Sequence, residues 1–265
     1  MPRPMIFLPP ALLTTALLTS VASSPVAADF TLVRSYDGIT AGAEFGYACV
    51  VIGDMDGDGI HEFAIGSPAD DTGGKNAGRV FIYRGGHPLP DDPVWVITGA
   101  PGERLGHALG ASYVDDDQWP DLIIGAPGSS GAPATLTGRI VVAYGGNPLG
   151  LRPLASVSGT TPDGRFGWAV EGIRSYPQGA LQILVGAPEA SAGAGEVHGL
   201  AGGDPPPASR AFVLHGEVAG EKFGYALANA GITRGYIVGP EFLVGAPEAA
   251  GHGASSGRFA LYLFD

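Results

Sequence analysis

The stretch FGYACVVIGDMDGDGIHEFAIGSP (residues 45–68) holds three kinds of signal in one run. A Phe-Gly corner opens a short apolar segment, an acidic loop follows, and a second apolar segment ends in Gly-Ser-Pro. The outer two signals recur. Ile65-Gly-Ser-Pro returns as IGAP at Ile124 and as VGAP at Val185 and Val244. The opening corner returns as LGHALGA at Leu105, FGWAVEG at Phe166 and FGYALAN at Phe223, at intervals of 60, 61 and 57 residues. Downstream of each copy lies a third marker: GRVFIY at Gly78, GRIVVAY at Gly138, GEVHGL at Gly195 and GRFALYLF at Gly257. Self-similarity at a fixed period is the mark of a repeat architecture.

Each unit reads as strands. The apolar segments are short, rich in β-branched and aromatic residues, and bounded by Gly, Pro and Asp. A fourth segment near Val94 precedes the next corner, with counterparts near Ala155 and Phe212. No stretch carries a sustained helical period. The predicted fold is therefore all-β: a β-propeller of four four-stranded blades, at residues 39–98, 99–158, 159–215 and 216–265. The last copy lacks a fourth segment, while DFTLVRSYDG at Asp29 fits that slot. Strand 30–36 is thus expected to pair with the last blade and close the ring, because closure removes open sheet edges. An open half-ring pairing with a second copy is the alternative.

The FG…D-x-D-x-D-G…GAP pattern resembles the FG-GAP repeats of the integrin alpha-subunit propeller. The resemblance covers residues 29–265, although integrin propellers have seven blades and this chain has four repeats. It implies an adhesion or protein-interaction module with structural calcium. It also implies a ligand surface, for protein or glycan, on the face opposite the calcium loops. Trp95, Trp119 and Trp168 are the aromatic anchors to test there.

In DMDGDGIHE, oxygen donors fall at alternate positions: Asp54, Asp56, Asp58 and Glu62, with the carbonyl of Ile60 between the last two. Calcium takes six to eight hard oxygens, and a curled loop of alternating carboxylates supplies them. An EF-hand would need Glu at position 12 between helices. Here that position is Ile65, inside a strand. The second copy, YVDDDQWPD, keeps Asp115, Asp117 and Asp121, with Trp119 at the carbonyl position and Asp116 as a substitute donor. It predicts a weaker second site. The third copy has no carboxylate and the fourth keeps only Glu241.

Composition excludes several function classes. Lys plus Arg number 14 against 26 Asp plus Glu, a net charge of −12, which opposes nucleic acid or anionic membrane as partner. Residues 1–28 read as a secretory signal peptide, with one early cation, an apolar core and a small-residue exit. That predicts a secreted, periplasmic or cell-surface protein without membrane insertion, as monomer or homodimer. The single Cys49 allows no internal disulfide and is expected to be buried. No HExxH, GxSxG, CxxC or phosphate-binding loop is present, so no catalytic residue is assigned. The competing reading is a secreted enzyme, or a carbohydrate-binding accessory domain, with its site on the propeller axis. The residue after each corner (Tyr47, His107, Trp168, Tyr225) is read as packing between blades.

Overall fold

The computed structural model describes residues 31–115, 117–128, 137–150, 152–173, 183–206, 210–231 and 241–263. The expected signal peptide, Asp116 and most of the third and fourth β-turn loops lie outside them. The chain divides into Met1–Ser35 and Tyr36–Asp265, and the second unit holds every strand. In the first, residues 31–35 form no strand and are exposed.

Tyr36–Asp265 is built from four antiparallel sheets in chain order. Sheet 1 comprises β1 (Ala48–Gly53), β2 (Glu62–Ser67), β3 (Arg79–Tyr83) and β4 (Trp95–Thr98). Sheet 2 comprises β5 (Ala108–Ser112), β6 (Asp121–Ala126), β7 (Arg139–Ala143) and β8 (Ala155–Ser158). Sheet 3 comprises β9 (Ala169–Gly172), β10 (Ile183–Ala187), β11 (Glu196–Leu200) and β12 (Arg210–His215). Sheet 4 has three strands, β13 (Ala226–Gly231), β14 (Glu241–Ala246) and β15 (Arg258–Leu263). The meander is that of propeller blades. Among the described residues the expected closing strand is not seen: residues 31–38 carry no strand, and β15 ends sheet 4. A helical turn at Ala190–Gly193 is the one helical element among the described residues.

Successive sheets pack face to face through three apolar clusters. Ile52, Val80 and Ile82 of sheet 1 meet Leu122, Ile124 and Val141 of sheet 2. Ile123, Ile140 and Val142 on the other face of sheet 2 meet Val170, Ile183 and Val185 of sheet 3. Leu184 and Val197 then meet Phe242 and Val244 of sheet 4. Both faces of the central sheets are therefore buried, and β6 is buried at all six positions. Burying one such side chain contributes about 1.5–3 kcal/mol. A continuous apolar run in place of strict alternation follows directly.

The repeated glycines lock one sheet to the next. A Cβ on Gly66 would lie 2.1 Å from the carbonyl oxygen of Gly106, on Gly125 2.1 Å from that of Gly167, and on Gly186 2.0 Å from that of Gly224. None of these three needs a positive φ; each needs room for the next Phe-Gly corner. The corner itself is held by backbone bonds: the amides of Leu105, Phe166 and Phe223 donate to the carbonyls of Ala77, Thr137 and Ala194 at 2.9–3.0 Å. The residues after the corners form a row, with ring centroids 4.9 Å apart for Tyr47–His107, 4.4 Å for His107–Trp168 and 5.4 Å for Trp168–Tyr225. They pack between blades, as the spacing implied.

Two residues differ from expectation. Cys49 is exposed, because β1 turns one face to the next sheet and leaves the other uncovered. Trp95 is packed against the cluster between sheets 1 and 2 rather than presented as an anchor.

Candidate metal centre

The loop between β1 and β2 curls because Gly57 and Gly59 adopt φ of 78° and 87°, which side chains with a Cβ resist. Its carboxylates hold its own backbone. Asp54 accepts the amides of Gly57 (2.8 Å) and Gly59 (3.0 Å), Asp56 accepts that of Asp58 (3.2 Å), and Asp58 accepts that of Ile60 (2.8 Å). One oxygen from each of Asp54, Asp56 and Asp58 falls within 4.8 Å of the others. Three like charges at that spacing repel by about 1 kcal/mol per pair even in bulk water, and more beside protein. Arg84, half exposed, pairs with Asp56 and offsets one of them.

Glu62, expected as the fourth side-chain donor, stands outside that group of three. It opens β2, is fully buried, and accepts the Met55 amide on Oε2 at 2.7 Å. Its Oε1 is buried without a hydrogen-bond partner. Burial first, and then the charges of Asp56, Asp58 and Asp54, push its pKa up to about 7 against the Met55 bond. An orphaned carboxylate oxygen beside converged carboxylates fits a hard divalent cation: all the available donors are oxygen. Asp54, Asp56 and Asp58 would hold it, with Glu62 and the Ile60 carbonyl completing the set.

The loop between β5 and β6 is built on the same plan and reaches a different end. Asp121 occupies the place of Glu62, but both its oxygens are bonded, to the Val114 amide (2.6 Å) and the Gly145 amide (2.9 Å). Asp115 and Asp117 are taken by one guanidinium. Arg152 reaches them at 2.5 and 3.2 Å and also reaches Asp204 at 2.7 Å. Its charge lies 4.2 Å over the ring of Tyr144, whose hydroxyl donates to the Gly203 carbonyl at 2.9 Å. Trp119 offers its amide to Asp117 at 2.8 Å. Arg152, Tyr144 and Asp204 were missed by sequence reasoning, which weighed this loop by its carboxylates alone. The signal that existed was the one cation in the β7–β8 connection, at the same end of the blade.

Between the two loops lies a cleft of about 600 Å³ lined by Asp54, Asp56, His61, Tyr113, Trp119 and Asn147. A second, of about 520 Å³, lies between sheets 3 and 4 and is lined by Asp163, Arg165, Glu189, Lys222 and Glu248. Trp119 thus stands at the acidic-loop end, whereas Trp168 is part of the aromatic row between sheets. Among the described residues, no helix is long and apolar enough to cross a membrane.

Comparison with known proteins agrees with this architecture. Residues 45–83 match the FG-GAP repeat family model. Integrin alpha-8 of Gallus gallus is 38% identical over 95 residues, covering 33% of this chain and 9% of its own length. Integrin alpha-PS2 of Drosophila melanogaster is 37% identical over 99 residues, covering 34% and 7%. A phosphatidylinositol-glycan-specific phospholipase D of Mus musculus is 34% identical over 100 residues, covering 35% and 12%. The chain spans about a tenth of the length of these relatives. The chain carries an FG-GAP repeat at residues 45–83 and is similar to integrin alpha subunits.

Proposed function

We propose that this protein is an exported, calcium-binding β-propeller module that acts in adhesion or protein interaction and uses its calcium structurally. The observation that carries the metal reading is the converged trio Asp54, Asp56 and Asp58 beside the unpartnered Oε1 of Glu62. All of its donors come from one β-turn, so the ion would brace that turn rather than act on a substrate. We propose a single ion per chain, because Arg152 already engages Asp115 and Asp117 of the second loop. Similarity to integrin alpha subunits supports the interaction role. The partner surface we favour is the charged cleft between sheets 3 and 4, at the end of the blades opposite the acidic loops.

A non-catalytic role is part of this proposal. His107, the one titratable group in the aromatic row besides the tyrosines, is buried and its pKa is pushed down to about 4 by that burial. That state suits packing better than acid–base work. Calorimetric titration of the full chain with calcium tests the reading. One ion per chain is expected, with a Kd of about 10⁻⁴ to 10⁻³ M as for other extracellular modules. Asp56→Asn is expected to abolish binding; heat-free titrations of the wild-type chain would overturn the proposal.

A further inference from the structure

The lock between sheets is made three times within the chain, and one half of it is left over at each end. On sheet 4, Gly245 stands where Gly66, Gly125 and Gly186 stand on the earlier sheets. Each of those three would clash with the next corner at 2.0–2.1 Å if it carried a Cβ, yet a Cβ on Gly245 meets only Ala226 of its own sheet, at 3.3 Å. Its φ is not positive, so the backbone does not ask for glycine. Space for a following corner is kept there, and no following corner fills it among the described residues.

Side chains repeat the pattern. Gly66, Gly125, Gly186 and Gly245 are paired across the strands with Val80, Ile140, Val197 and Phe259. The first three are 0% exposed, each under the next sheet, whereas Phe259 is 74% exposed. Leu261, on the same face, is 42% exposed. At the other end, Cys49 and Val51 of β1 occupy the places of Leu109 and Ala111 of β5, which pack against sheet 1. Val51 is 65% exposed, and Cys49 is exposed with it. Gly46, in the unused corner, has nothing within 4 Å of a Cβ position, while its counterparts Gly106, Gly167 and Gly224 touch the preceding sheet. The aromatic row is open at the same two places, at Tyr47 (50% exposed) and Tyr225 (45%).

We propose that the uncovered face of sheet 4 receives the outer face of sheet 1 of a second copy of this chain, where Tyr36 and Phe45 already cover Tyr83 and Phe81 and leave Cys49 and Val51 of β1 open. Under two-fold symmetry both leftover halves are used at once, which closes the series of sheets without an open face. The occupant is a second copy because the two faces are the complementary halves of an interface that the molecule already makes three times. The Gly245 cleft takes a Phe-Gly corner, and the free corner belongs to residues 45–46.

The test is light scattering of the eluting full chain at micromolar concentration with calcium present, paired with maleimide labelling of Cys49. Twice the chain mass and slow labelling are expected. Phe259→Lys and Val51→Lys each change a side chain that is exposed in the single chain, so each is expected to halve the mass, speed labelling and leave a cooperative melt. Gly245→Ala is expected to weaken the pair in the same direction. A wild-type chain at single mass overturns the proposal, and slow labelling at that mass would assign the cover to the chain's own residues. A dimer that survives both lysine variants overturns it too, since the contact then lies elsewhere.

Discussion

The β1–β2 and β5–β6 loops sit at the same place in neighbouring sheets, and their backbones are tied by the same bonds. In each, the amide two residues past the strand is accepted by the carboxylate that opens the next strand, Met55 by Glu62 and Val114 by Asp121. They part over what balances their charge. The first keeps a trio of convergent carboxylates and one unpartnered buried oxygen. In the second, Arg152 is threaded among Asp115, Asp117 and Asp204, and no oxygen of Asp121 is unpaired. An acidic turn inherited by a repeat can thus be engaged by a side chain from the neighbouring connection, or left open for the ion from solvent that we propose for the first loop. The side-chain solution makes stability independent of calcium supply.

The largest effect of a single group is expected at His107. His107 has its folded pKa held near 4 by burial, below the ordinary value of 6.5. A cationic site depressed in the folded state makes the unfolded state bind the proton first. The His107 contribution is therefore full above about 6.5 and falls as pH drops, by up to about 1.4 kcal/mol per pH unit until about 4, while the raised carboxyls of Glu62 and Asp121 act in the opposite sense across that window. Chemical denaturation of wild type and His107→Gln across that window measures the His107 contribution, expected as the difference between their two slopes. Next comes the second loop. Arg152→Ala leaves two aspartates and Asp204 without their common partner, and is expected to cost about 2–3 kcal/mol, equally with and without chelator. A loss that calcium repairs would mean that the two loops are the same kind of site.

Chelation is expected to act on the first loop alone. At calcium ten times Kd, mass action adds about 1.4 kcal/mol, so removal should lower the melting temperature by about 3–6 °C. Asp56→Asn is expected to erase that difference and Asp115→Asn to keep it; the reverse result would exchange the roles of the loops. The smallest effect is expected at Arg84, whose half-exposed pair with Asp56 is worth no more than about 1 kcal/mol. Arg84→Ala is expected to tighten calcium binding in the same titration, because it removes a cation that competes for Asp56.

Much of the fold was legible because the repeat displays its own grammar. The fourth segments near Val94, Ala155 and Phe212 became β4, β8 and β12. The Phe-Gly corner and the Gly-Ala-Pro turn read as scaffolding, and the carbonyl contacts at Gly66, Gly125 and Gly186 supply the physical reason. Alternate aspartates on a glycine-rich loop pointed to Asp54, Asp56 and Asp58, one oxygen of each lying within 4.8 Å of the others. What local spacing could not reveal was the cation that comes from elsewhere. Arg152 is 37 residues from Asp115 along the chain, and nothing in the YVDDDQWPD run announces it.

By itself, then, the sequence determined the blade. Period, turn glycines and apolar segments dictate four β-meanders and one acidic turn of convergent carboxylates, since these depend on residues within one repeat. Tertiary structure alone decided which faces and charges find partners. Cys49, Val51 and Phe259 belong to strands as apolar as their neighbours, yet they are exposed because no sheet stands over them. Residues 31–36 carry no strand where the pattern predicted one at 30–36, because pairing across the whole chain is a long-range choice that local pattern does not specify.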